Sequence, residues 1–245
     1  MRRSGANRPS LVLTAHGSAD PSSAANARAV AATIRRTRPD LTVRVAFCER
    51  TQPGLSDVLG SCPGVAVVTP LLLADAYHAR VDIPHQIAES GAASRVRQAG
   101  VLGADDRLIS VLSDRLAEAG VSRHDREVGV LVVAIGSTLD EANACTRTVA
   151  TRLGAGTAWA GVTTAFATGP GPSLAQGADT LRRRGARRLV VAPWFLAPGR
   201  LPDRVAVAAA HDGIAMAAPL GAHPLVAATV LDRFDEAVAA EQFAA

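Results

Sequence analysis

One pattern is written twice in this chain, and that duplication constrains the fold more than any other property. Leu11-Val-Leu-Thr-Ala15-His16-Gly17-Ser18 returns as Val130-Leu-Val-Val-Ala134-Ile135-Gly136-Ser137, an offset of 119 (136 − 17). Phe47-Cys-Glu49 with Pro53 and Leu55 returns at the same offset as Phe166-Ala-Thr168 with Pro172 and Leu174. Val67-Val68-Thr69-Pro70 returns as Val190-Val191-Ala192-Pro193, and Val101-Leu-Gly-Ala104 as Pro219-Leu-Gly-Ala222. Four matches in one order imply two copies of one fold. The polar stretch Ser122 to Glu127 reads as the linker, giving expected domains at residues 1–122 and 128–245.

Within each copy, short apolar runs alternate with helical patterns. Leu11 to Ala15, Leu41 to Phe47 and Val65 to Thr69 read as strands, and a fourth is expected at Gln98 to Leu102. Helices are expected from about Ser23 to Arg36, from about Ile83 to Ala93 and from Asp105 to Ala119, the first opened by the start signals Asp20, Pro21 and Ser22. Such alternation predicts an α/β fold: two tandem domains, each a mostly parallel four-stranded sheet flanked by helices.

Composition removes several function classes. Aromatic residues make up 3% of the chain, too few for base-stacking platforms, and a net charge of +4 is modest. All 26 basic residues are Arg, so the basic count reflects a habit of this sequence rather than a nucleic-acid partner. No apolar run reaches the roughly 18 residues of a bilayer span. Residues 1–8 read as a short disordered tail, because Ser10 to Ala15 is too short for a signal core. Cys48, Cys62 and Cys145 are odd in number and unclustered, which argues against a disulfide framework or thiolate metal cage and points to a cytoplasmic protein.

The copies differ where chemistry is expected. His16, Glu49 and His78 each follow a strand of the first copy, at the sheet edge where open α/β folds bind ligands. In the second copy those positions are Ile135, Thr168 and Leu201. Two imidazoles and a carboxylate suit Fe, Co, Ni or Zn with positions left open for a substrate. Singly, each histidine is more readily a loop or packing residue and Glu49 a solvated acid; joint placement and joint loss favour the metal. Asp82 either orients His78 or caps the helix that opens at Ile83-Pro84. Ser18 beside His16 and Asp20 hints at a hydrolase, yet GxSxG is absent; Gly17-Ser18 could seat a phosphate, yet neither GxGxxG nor GxxxxGK[ST] occurs. His85, His124, His211 and His223 join no such set.

The run Ala15-His16-Gly17-Ser18-Ala-Asp20-Pro21, the Phe47-Cys-Glu49 segment with Pro53, and Pro70-Leu-Leu-Leu followed by Tyr77-His78 and Asp82-Ile83-Pro84 resemble the small sirohydrochlorin chelatases, in a tandem form with a degenerate second half. The resemblance implies insertion of Fe2+ or Co2+, with Ni2+ a further candidate, into sirohydrochlorin for siroheme or cobalamin synthesis. It implies His16, His78 and Glu49 as metal-binding and catalytic residues, the metal as substrate, and no organic cofactor. Arg50, Arg80 and Ser18 are the candidate contacts to the carboxylate-fringed tetrapyrrole, with Arg200 and Arg204 on the equivalent loop of copy two; each Arg taken alone is more readily a solvated surface charge. Two copies in one chain predict a monomer with a pseudo-two-fold domain pair. A non-catalytic protein that delivers metal or tetrapyrrole with the same residues is the competing expectation.

Overall fold

Every residue of Ser10–Ala15 is buried, as expected of a strand covered on both faces inside a parallel sheet. In the computed structural model, which describes residues 9–242, this strand, β1, leads into helix α1 (Pro21–Thr37). The expected tail, residues 1–8, lies outside the described residues. β1 pairs in parallel with β2 (Val43–Phe47) on one side and with β3 (Ala66–Pro70) on the other. α2 (Leu55–Gly60) joins β2 to β3, and α3 (Ile83–Glu89) precedes β4 (Val96–Gln98), which pairs with β3. The order is therefore β2-β1-β3-β4. Because the chain steps outward to β2 and then returns across β1 to β3, the direction of winding reverses between β1 and β3. An open sheet leaves a ligand crevice there, at its carboxyl edge.

A second four-stranded sheet repeats this design. It follows α4 (Asp106–Glu118) and runs β5 (Val128–Ala134), α5 (Asp140–Gly154), β6 (Gly161–Phe166), α6 (Leu174–Arg183), β7 (Arg188–Pro193), α7 (Arg200–His211) and β8 (Ala215–Met216). All pairings are parallel, in the order β6-β5-β7-β8. The last helix, α8, spans Pro224–Gln242. Each sheet is sealed by apolar side chains: Val12, Leu55, Leu59 and Ile83 in one core and Leu131, Val191, Phe195 and Ala209 in the other, with each fully buried aliphatic residue stabilising by roughly 1.5–3 kcal/mol.

The compact units do not coincide with the sequence repeats. One unit takes residues up to Leu102 and then those from Pro224 onward; the other is continuous from Gly103 to His223. Thus α4, written in the first repeat, packs on α5 and β7, whereas α8, written in the second, packs on α1 and β3. The boundary expected between residues 122 and 128 falls inside the second unit. One arginine secures each exchanged helix. Arg233 of α8 donates to the Val101 and Leu102 carbonyls at 3.1 and 3.2 Å, and Arg115 of α4 donates to those of Pro219 and Leu220, both at 3.1 Å. The two arginines are 118 positions apart (233 − 115), the same offset that relates Val101 to Pro219.

Several local expectations need correction: α3 ends at Glu89 rather than about Ala93, and β2 begins at Val43 rather than Leu41. α1 begins at Pro21 rather than Ser23, because Asp20 accepts the Ser22 N–H at 2.9 Å and so caps the helix earlier. The fourth strand is Val96–Gln98 rather than Gln98 to Leu102; beyond Gln98 the chain leaves the sheet, and the carbonyls at 101 and 102 are taken by Arg233.

Candidate functional site

Three strand ends of the first unit supply the site. His16 follows β1 and is held by a close crossing of two loops. Gly17 adopts φ 94°, and a Cβ there would lie 1.8 Å from the Glu49 carbonyl oxygen, so no other residue fits. The Glu49 N–H donates to the His16 carbonyl at 3.0 Å. The Ser18 N–H donates to Thr51 Oγ1 at 3.1 Å, and the Thr51 hydroxyl donates back to the Ser18 carbonyl at 2.9 Å. The second unit repeats the crossing with other tools: a Cβ on Gly136 would lie 1.9 Å from the Thr168 carbonyl, but Asn143 of α5 holds Ser137 instead. The crossing is thus a property of the fold, and the imidazole and carboxylate are additions to it.

These contacts place His16 Nε2 3.3 Å from Glu49 Oε1, which also accepts from Arg50 Nε at 2.9 Å. Arg50 itself sits at φ 56°, an uncommon conformation for a non-glycine residue, at the tip of the same loop. His78 enters from beyond β3, and the His16 and His78 ring centroids are 4.0 Å apart with planes inclined by 41°. The two rings therefore come from the strands that flank the winding reversal. Tyr77 meets His78 edge-on at 6.2 Å.

His78 opens a single wide helical turn, His78–Asp82, of the five-residue π type, whose end is marked by the Ile83 N–H donating to the His78 carbonyl. One residue of the sequence bears on how the turn is finished. The next nitrogen along belongs to Pro84, which has no N–H, so the Ala79 carbonyl lacks a partner from that residue. Gln98, at the end of β4, fills the gap by donating to it at 2.7 Å. Asp82 is hydrogen-bonded to His78 Nδ1 and makes no side-chain bond to the helix terminus. Of its two sequence expectations, orienting the histidine is the one its contacts show.

The site is thus two imidazole–carboxylate pairs, His16 with Glu49 and His78 with Asp82, open to solvent: the His16, Glu49 and His78 side chains are 40%, 46% and 44% exposed. Among the described residues no group of three or more His, Cys, Asp or Glu side chains is arranged to hold a metal ion. His16 Nδ1 is buried with no hydrogen-bond partner. Burial first, and then the neighbouring His78, hold the His16 imidazole below its ordinary pKa of 6.5 against the opposing pull of Glu49 and Asp82. Burial, helped by Asp82 and Glu49, pushes the adjacent Cys48 thiol up to about 12, which keeps it protonated and a poor ligand.

The remaining candidates are placed as follows. The Ser18 hydroxyl oxygen accepts the Asp20 N–H at 3.0 Å, a turn contact. Arg80 pairs with Asp75, Nε to Oδ2 at 3.0 Å, on the exposed side of the wide turn. Arg200 and Arg204 are exposed on α7 of the second unit. Sequence reasoning missed Thr51, Gln86 and Gln98, the last two of which donate to the backbone of Cys48 and Ala79. No motif flags them, since their role depends on which loop folds against them.

Two tandem parallel α/β units, with imidazoles and carboxylates gathered at the winding reversal of one, define a protein of the chelatase-like class. The chain belongs to the CbiX family, whose profile matches it twice, over residues 10–119 and 129–237. It is 29% identical over 185 residues to a sirohydrochlorin ferrochelatase of Priestia megaterium, covering 70% of this chain and 68% of that one. A sirohydrochlorin cobaltochelatase of the same organism is 25% identical, covering 95% and 81% of the respective chains. Among solved structures, SirB from Bacillus subtilis with Fe3+ superposes with a TM-score of 0.77 at 22% identity, covering 96% of this chain and 97% of that one.

Proposed function

We propose that this chain is a sirohydrochlorin chelatase that inserts Fe2+ or Co2+ into the metal-free ring, with release of two pyrrole protons. The observation that carries the reading is the pair of half-exposed imidazoles 4.0 Å apart at the winding reversal of the first unit, in a chain of the CbiX family. His16 and His78 take the metal, with Glu49, which rests against His16 before the metal arrives, as third ligand or electrostatic helper, and the imidazoles receive the protons as the ring nitrogens replace them. Ligation of this kind is exchangeable, as it has to be when the metal is cargo; thiolates would retain it. The lowered proton affinity of His16 keeps its lone pair available at neutral pH. Arg50 and Arg80, already paired with Glu49 and Asp75, are assigned to carboxylates of the ring fringe, to which guanidinium forks are suited, and Ser18 to the same substrate edge.

The second unit is assigned no metal, since Ile135, Thr168 and Leu201 offer no ligand set. No organic cofactor is proposed. The expected state is a cytoplasmic monomer; no described helix is long and apolar enough to cross a membrane. The test is to mix the protein with sirohydrochlorin and Co2+, Fe2+ or Ni2+ and follow the absorption spectrum. Spectral conversion that is lost in a folded His16→Ala plus His78→Ala variant supports the assignment, and the relative rates name the preferred metal. Conversion at the parental rate in that variant overturns it, and tight binding without conversion identifies a delivery protein instead.

A further inference from the structure

We propose that Asp82 is the positioning residue for His78: it fixes the imidazole ring as the tautomer whose Nε2 lone pair is presented to the metal. The proposal rests on the chelatase reading of the same site. An ionised carboxylate can only accept hydrogen bonds, so its bond to His78 Nδ1 requires the proton on Nδ1 and leaves Nε2 as the lone-pair nitrogen. Asp82 has no competing duty at the helix start. It occupies the N-cap position of α3, but with helical dihedrals, φ −66° and ψ −46°, and without a side-chain cap bond. The wide turn that carries both residues is itself pinned. The Ile83 N–H closes it on the His78 carbonyl, and Gln98 reaches in from β4 to the Ala79 carbonyl between them. His78 is therefore oriented from its backbone and from its ring. His16 has no such support, because its Nδ1 is buried without a partner and its Nε2 faces Glu49. The two histidines are unequal: the His78 ring has a hydrogen-bonded Nδ1, whereas the His16 Nδ1 is buried without a partner.

Carboxylates that hold the far nitrogen of a metal-binding histidine typically contribute 10–100-fold to metal affinity or activity. The experiment compares the full-length parent with Asp82→Ala and Asp82→Asn. Long-range proton–nitrogen NMR at about pH 8.5, where ordinary imidazoles are neutral, reads the His78 tautomer. The expected result is Nδ1–H in the parent, a shift toward Nε2–H in Asp82→Ala, and retention in Asp82→Asn, whose amide oxygen still accepts. Co2+ titration should show about 10–100-fold weaker binding for Asp82→Ala and a smaller loss for Asp82→Asn. An unchanged tautomer or unchanged Co2+ affinity in Asp82→Ala overturns the proposal; if that variant does not fold, full parental affinity in Asp82→Asn together with an Nε2–H tautomer in the parent does so. Failure of the chelatase reading looks different: the parent then binds no Co2+, or binds it equally after His16→Ala and His78→Ala, while the tautomer of His78 still reports on Asp82.

Discussion

Arg233 Nη2 donates to the Leu102 carbonyl at 3.2 Å across 131 residues of sequence. With its second bond, to Val101, it fastens α8 to the unit that begins with β1. Charge-assisted hydrogen bonds of this sort contribute about 1.5–3 kcal/mol. Arg233→Ala should lower stability by about 2 kcal/mol in urea titration, and Arg115→Ala, which removes the matching pair to Pro219 and Leu220, by a similar amount. A loss below about 0.5 kcal/mol in both would reduce the arginines to ordinary surface charges.

Gly17→Ala and Gly136→Ala form a second matched pair. Each adds a Cβ less than 2 Å from a carbonyl oxygen, so each displaces the loop that follows β2 or β6 and should destabilise by about 1–3 kcal/mol or more. Only Gly17→Ala moves Glu49. Co2+ binding should therefore weaken in Gly17→Ala and persist in Gly136→Ala, measured on protein shown to be folded by circular dichroism.

The lowered proton affinity of His16 fixes the sign of a pH effect. Between the folded-state value and 6.5 the unfolded chain binds a proton that the folded imidazole refuses, so stability rises with pH across that window and is lost as pH falls through it. Melting temperatures of the parent and His16→Gln, compared from about pH 7.5 down to about pH 5, should show the parent losing more. Parallel curves would mean that His16 titrates alike in both states.

The three cysteines should separate by reactivity. Cys145 is exposed, Cys62 is buried, and Cys48 is raised to about 12. A disulfide reagent at about pH 8 should label Cys145 rapidly and leave the other two intact until the protein unfolds. Rapid labelling of Cys48 would contradict the burial that raises its pKa.

Much of this architecture was legible because strand and turn signals are local. The buried run at β1, the Asp20 cap and the glycine at each crossing depend on near neighbours, and their recurrence at a fixed offset exposed the duplication. That His16, Glu49 and His78 come together was legible by contrast with Ile135, Thr168 and Leu201. The helix exchange was not. α4 and α8 both have an apolar face and an arginine at equivalent positions, so nothing in either segment says which sheet it covers. The wide turn at His78 left one trace, Pro84, whose missing N–H matters only once the turn closes on Ile83. Gln98 carried no signal, because its partner is a carbonyl 19 residues away.

The exchange also sets an order of events during synthesis. The second unit is one unbroken segment, whereas the first, which carries both histidines, is completed only when Pro224–Gln242 has left the ribosome. At roughly 5–20 residues per second, the 121 residues from 103 to 223 impose a wait on the order of ten seconds. Over that interval the faces of α1 and β3 that α8 will cover are bare. Nascent chains are therefore most exposed to aggregation in the unit that carries His16 and His78, and chaperone dependence should be read there first.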